Sequence, residues 1–217
     1  MKPYDTEQDK KEQVREMFDR IAPAYDRLNH TLSFQIDKLW RRHVVRIVRR
    51  MQPRRILDVA TGTGDLALAM ARRMRGVQVL GVDLSENMLA EARRKATACG
   101  LDERVVLSLG DAERLEVADA SVDVVTVAFG VRNFEDLLGG YMEMYRVIKP
   151  GGVLMVIELS TPTSPAVRPL YDFYTNRLIP SVGRLVSKDS DAYTYLPQSI
   201  AAVPQGQEMA ALMRSAG

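Results

Sequence analysis

The stretch Ile56–Leu66, ILDVATGTGDL, constrains this chain more than any other. Its apolar run has no polar stripe and reads as a buried parallel strand, and the LALAMARRM segment has helical period. Gly62 and Gly64 therefore fall on the turn between strand and helix. Glycine suits such a turn because it accepts positive φ and, lacking a Cβ, lets a ligand approach the backbone. In an open α/β sheet that turn lies at the carboxyl end of the strand, where ligands bind. It is expected to be a cofactor site, with Gly62 and Thr63 among the contacts. Gly62-Thr63-Gly64-Asp65-Leu66-Ala67 also fits the relaxed G-x-G-x-x-A pattern, so an NAD-dependent oxidoreductase is the rival reading.

The chain beyond it keeps alternating. VQVLGVDL reads as a second strand ending in Asp83, about twenty residues past the glycines, from where an acid accepts hydrogen bonds from ribose hydroxyls. Capping the helix that Ser85 starts is its competing role. RVVLSL is a third strand, followed by Gly110, Asp111 and Ala112. Asp111 is placed to accept a hydrogen bond from an adenine amine, and the Ala112 backbone to add a second polar contact; an acid there also serves as a turn residue. VDVVTVAF is a fourth strand leading to Arg132 and Asn133, a polar pair at the mouth of the site. A helical stretch from Glu135, the turn Lys149-Pro150-Gly151-Gly152 and the strand VLMVIEL complete the pattern. Such alternation specifies a doubly wound α/β fold, a mostly parallel sheet with helices on both faces.

One domain is expected from the 217 residues. Residues 1–13 are polar and expected to fray. Residues 14–52 should form a helical lid interrupted at Pro23 and around 29–33, ahead of a cofactor-binding core at 53–159. Residues 160–205, rich in proline and tyrosine, suit a substrate cap, and 206–217 a last helix. Between Lys38 and Arg55 seven arginines share an amphipathic segment with Trp40, Val44, Ile47, Val48 and Met51, either a solvated face or a docking surface for anionic lipid. A net charge of +2 gives no argument for nucleic acid. Cys99 stands alone, which excludes an internal disulfide and fits a reducing, cytoplasmic setting. With only His30 and His43, no metal site is expected, and no run has the length of a membrane span.

DVATGTGD, VDLSENML and GDAERL resemble successive motifs of the class I S-adenosylmethionine-dependent methyltransferases. Ala24-Tyr25-Asp26-Arg27-Leu28-Asn29 with Leu32-Ser33 and Trp40, and the run RVIKPGGVLMVIELS from Arg146 to Ser160, are similar to the two signatures of the menaquinone and ubiquinone biosynthesis C-methyltransferases. FGVRNF and DAYTYLPQSI extend the likeness over nearly the whole chain. Three positions depart: Asp37 stands where the signature has histidine, Ala128 stands where many members have serine, and the sequence stops at Ser215-Ala216-Gly217, where the family continues into a final pair of strands. Either the chain is incomplete or its sheet ends at five strands.

The resemblance implies the S-adenosylmethionine cofactor and methyl transfer to a ring carbon of a prenylated quinol, most simply demethylmenaquinol. A benzoquinol or another small molecule is the alternative acceptor, and a non-catalytic prenyl-quinone-binding protein the alternative of another class. Arg132 is expected to stabilise the phenolate or hold a water, with Asn133 orienting it; a structural salt bridge competes for Arg132. Tyr25, Asp26, Asp191 and Tyr193 are weaker candidates. A prenyl tail implies peripheral contact with the inner face of a membrane, and a homodimer is open.

Overall fold

The computed structural model describes residues 1–178 and 190–217. The side chains of residues 190–194, Asp191 and Tyr193 among them, lie outside the described set. Five strands, β1 (Arg55–Val59), β2 (Gln78–Asp83), β3 (Val105–Leu109), β4 (Val122–Ala128) and β5 (Ile148–Ile157), form one sheet in the order β3-β2-β1-β4-β5. Every pairing is parallel. The strand order reverses between β1 and β4, and in such sheets the crevice beyond that point is where ligands bind.

β1 is the centre of the core. Ile56 and Val124 face α2 (Ile36–Arg50) and α3 (Asp65–Arg73), while Leu57, Val59, Val125 and Val127 face α5 (Leu137–Val147). α4 (Glu86–Ala98) covers the β2 and β3 side. It starts just after Ser85, as expected, and the cap is Ser85 itself, its hydroxyl accepting the Met88 N–H at 3.1 Å. Asp58 breaks the apolar run of β1. It is buried, accepts hydroxyl donors from Thr61 and from its cross-strand neighbour Thr126, and is pushed up to about 6 by desolvation despite those bonds. Those two hydroxyls tie the turn after β1 to β4.

The amino-terminal segment departs from expectation. A single helix, α1 (Lys10–Leu32), runs straight through Pro23. Proline has no N–H for the carbonyl four residues back, which here is Asp19. That oxygen instead accepts the Asn87 side-chain amide at 3.0 Å. Replacing Asn87 by alanine is therefore expected to cost about 0.5–1 kcal/mol, the net worth of one exposed hydrogen bond that water can partly replace, seen as a lower urea midpoint at unchanged slope. The first residues are also tethered. Fully buried Gln13 accepts the Tyr4 N–H at 2.9 Å and donates to the Thr6 and Gln8 carbonyls.

After β5 come α6 (Arg168–Phe173), a π-helical turn (Tyr174–Leu178), α7 (Ser190–Ala202) and α8 (Gln207–Ser215). Among the described residues no helix is long and apolar enough to cross a membrane.

Candidate functional site

Two cavities meet beyond the carboxyl ends of β1, β2 and β4. The first is lined by Gly62, Asp83, Asp111, Ala112 and Asn133, and by Lys11 and Phe18 of α1. The second has a volume of about 680 Å³ and a largely apolar wall drawn from α1, α2, the end of β5, α6 and α7, including Trp40, Ile47, Ile157, Tyr171, Tyr174 and Leu196. Tyr25 and Phe129 line both cavities.

The first cavity has the chemistry of a nucleoside site. Gly62 has φ +57°, and a Cβ placed there would meet no protein atom within 4 Å. Gly62 lines the first cavity, where a bound group can approach its bare backbone. Gly64 serves differently: with φ +78°, its bare Cα lets α4 approach so closely that a Cβ would lie 3.0 Å from that of Ala92. Asp83 spans the turn, accepting the Gly62 N–H at 2.7 Å and the Ser85 N–H at 2.9 Å. Burial pushes its carboxyl up to about 6 against those bonds. A carboxylate there, with lone pairs to spare, fits ribose hydroxyls.

That shift carries a sign. With no ligand the proton leaves Asp83 at about 6, and hydroxyl donors favour the ionised form. Binding then releases a proton below that pH. The affinity for S-adenosylhomocysteine should weaken toward tenfold per unit as pH falls below about 6, and level off above about 7. Calorimetric titrations across that range would measure it.

The remaining candidates divide. Asp111 accepts the Glu113 N–H at 2.9 Å and pairs with Lys11 at 2.7 Å, so one carboxylate oxygen is a turn acceptor and the other meets α1. Ala112 lines the same cavity. The Thr63 side chain turns away from it: its hydroxyl donates to Asp26, and both meet Lys95. Arg132 lines the second cavity, while its neighbour Asn133 lines the first; the Arg132 guanidinium is paired with Glu158 at 2.7 Å and bonded to the Phe129 carbonyl at 2.6 Å. Both side chains of the pair are almost fully buried. The salt bridge that competed as its role is thus present.

Among the described residues three buried side-chain atoms have no hydrogen-bond partner: Arg132 Nε, Asn133 Oδ1 and the Tyr195 hydroxyl. All three residues line a small cavity of about 40 Å³ that Tyr25 also borders. Such a space has room for water, and one donor, one acceptor and one hydroxyl suit it. Desolvation pushes Tyr195 up to about 12 and raises Tyr25 as well, so both phenols remain protonated near neutrality.

Several participants were not legible in the sequence. Phe129 holds φ +61° and Ala60 φ +51°, uncommon for residues with a Cβ, at the adjoining ends of β4 and β1. Backbone held in that region marks functional sites. The Phe129 ring meets Trp40 at 6.0 Å and the Arg41 guanidinium at 5.4 Å. Glu158 and Tyr195 lie within the runs RVIKPGGVLMVIELS and DAYTYLPQSI, but those runs single out neither as a site residue. Asp26, His30 and Asp65 lie close enough together to surround a cation, but the Lys95 ammonium already sits 2.7 Å from Asp26 and 2.6 Å from Asp65.

A model of the ubiE/COQ5 methyltransferase family matches residues 6–217. The chain is similar to the demethylmenaquinone methyltransferase of Porphyromonas gingivalis, 50% identical across 99% of this chain and 88% of that one. It is similar to the protein of the same name from Bacteroides fragilis, 47% identical across 96% and 85%. Among solved structures, a SAM-dependent methyltransferase of Thermotoga maritima, described as a possible histamine N-methyltransferase, superposes with a TM-score of 0.61 over 93% of this chain and 80% of that one. At 23% identity the last likeness carries the fold, not the acceptor.

Proposed function

The chain belongs to the ubiE/COQ5 methyltransferase family, and we propose that it transfers the methyl group of S-adenosylmethionine to a ring carbon of demethylmenaquinol, giving menaquinol. The observation that carries this reading is the meeting of the two cavities at Tyr25 and Phe129. One has the acids and glycine turn of a nucleoside site; the other is large, mostly apolar and lined with aromatic side chains, the composition expected for a planar ring with a prenyl tail.

S-adenosylmethionine supplies an electrophilic methyl group on a sulfonium. Gly62, Asp83, Asp111 and Ala112 would hold its adenosyl portion, and Thr63 would act on it only through the turn. The protein's own task is to make a ring carbon nucleophilic. A quinol hydroxyl must lose its proton so that the phenolate feeds electron density to the adjacent carbon, and that carbon must be held in line with the methyl group. Arg132 provides a buried positive charge beside the larger cavity, suited to stabilising the phenolate. The unpartnered Arg132 Nε and Asn133 Oδ1 suit a water that relays the phenolic proton toward solvent. Once the methyl group is on the ring and the neutral thioether has left, the ring hydrogen it displaces is lost as a proton and the phenolate oxygen is reprotonated, so one proton is released per turnover. Tyr25 and Tyr195, kept protonated by burial, donate rather than accept there.

α1 contributes Lys11, Phe18 and Tyr25 to the cofactor cavity and is fastened to the α/β core by Asp19 to Ser85 at 2.6 Å and Asp26 to Lys95 at 2.7 Å. It acts as a lid over the cofactor, and the described residues around Tyr171, Tyr174, Leu196 and Ile200 act as the cap over the acceptor; residues 179–189 of the expected cap lie outside the described residues. The prenylated acceptor implies a peripheral visit to the membrane.

The test is product identification. Purified protein, S-adenosylmethionine and short-chain demethylmenaquinol should give a product one methyl group heavier, with the methyl on the ring. Turnover confined to a benzoquinol would move the acceptor to the ubiquinone pathway, and turnover with neither would refute the reading.

A further inference from the structure

We infer that the outer ridge of α2, together with α6, is a bilayer-docking face that seats the mouth of the larger cavity on anionic lipid. The inference rests on that cavity being the prenyl-quinol site.

α2 and α6 both wall that cavity, through Trp40 and Ile47 on one and Tyr171 on the other. On and beside these two helices Phe34, Ile36 and Leu39 are exposed at 73%, 43% and 57%, and Leu170 and Phe173 at 70% and 60%. Large exposed apolar side chains grouped on helices that wall a cavity mark an interaction surface. The turn between α1 and α2 adds to it. Phe34 and Gln35 both hold positive φ, at 49° and 62°, without being glycine, and the Phe34 ring stands out from the fold.

The charge on α2 names the partner. At 100° per residue, Ile36, Leu39, His43, Arg46 and Arg50 share the outward ridge. On one flank Trp40 and Ile47 line the large cavity. On the other, Lys38, Arg42 and Arg49 join Arg72 and Arg73 of α3 in a groove of about 420 Å³. Among the described residues no carboxylate pairs with any of these five cations, although Arg41, on the inward side, is paired with Asp37. A ridge with an apolar tip and unpaired cations behind it fits a helix lying in the headgroup layer, its apolar residues reaching the acyl boundary. Anionic headgroups supply the countercharge. The prenyl tail would then enter the cavity directly from lipid.

The test is co-sedimentation of the full chain with phosphatidylcholine vesicles, with and without about one third phosphatidylglycerol, at low and high salt. Binding is expected only to the anionic vesicles and should fall with salt. Leu39→Ser/Leu170→Ser/Phe173→Ser and Arg42→Gln/Arg46→Gln/Arg49→Gln should each weaken it tenfold or more, about fivefold being expected for each lost cation near the surface. The apolar variant should keep wild-type turnover of a water-soluble short-chain quinol and lose turnover of a long-chain quinol held in vesicles. Equal binding to neutral vesicles, no binding, or variants that bind like wild type would overturn the inference. So would a wild-type dimer that the apolar variant dissociates, which would assign the face to a second copy. Wild-type protein that binds anionic vesicles yet methylates no quinol would support the face and refute the acceptor instead.

Discussion

Arg132→Ala is expected to lower kcat by about 10²–10³, the usual cost of removing one preorganised donor from developing negative charge. It should also destabilise the fold by about 3–5 kcal/mol, because Glu158 would be left buried without its cation. The second effect could masquerade as the first, so the informative protein is Arg132→Gln/Glu158→Gln. That pair removes the guanidinium and the stranded carboxylate together and should recover most of the stability. If Arg132 stabilises the phenolate, kcat stays low in the stable double variant while the affinity for S-adenosylhomocysteine is kept. If its role is only the salt bridge, kcat returns with the fold.

Gly62→Val acts on the other half of the site. At φ +57° a side chain is strained by about 1–2 kcal/mol. No protein atom opposes the new Cβ, so the fold should survive. The side chain would instead occupy the space where the backbone meets the cofactor, and binding should weaken at least about a hundredfold. A matching change at Gly64 should behave oppositely. Its Cβ would press on Ala92 and loosen the packing of α3 against α4, costing stability more than affinity.

What the sequence made legible was whatever is local. The period change at the glycine turn, Asp83 at a strand end and the helix start at Ser85 each depend on neighbours a few residues away, and all are found where the pattern put them. Features closed by distant partners were not visible. Pro23 reads as a helix breaker until Asn87, far along the chain, satisfies the carbonyl it frees. Gln13 lies in a polar stretch that looked frayed and proves to be a buried tether for the residues before it. Thr63 sits in the glycine motif, but its hydroxyl is drawn to Asp26 and Lys95 on two other helices. Tyr25 was one of many aromatics at helical spacing, yet it borders the cofactor cavity, the acceptor cavity and the small polar cavity alike. Its place in the Ala24–Asn29 signature made it only a weak candidate; the crossing of α1 over the strand ends is what gives it a wall in all three cavities.

Methyl transfer by this chain requires the crevice at the β1 and β4 switch to be an adenosyl site. The direct measurement is calorimetric titration of wild-type and Gly62→Val protein with S-adenosylhomocysteine, with NADH as the control ligand. Wild type should bind the homocysteine adduct at one site and ignore NADH, and the variant should lose that binding while melting within a few degrees of wild type. NADH binding, or an unchanged affinity in Gly62→Val, would contradict the account.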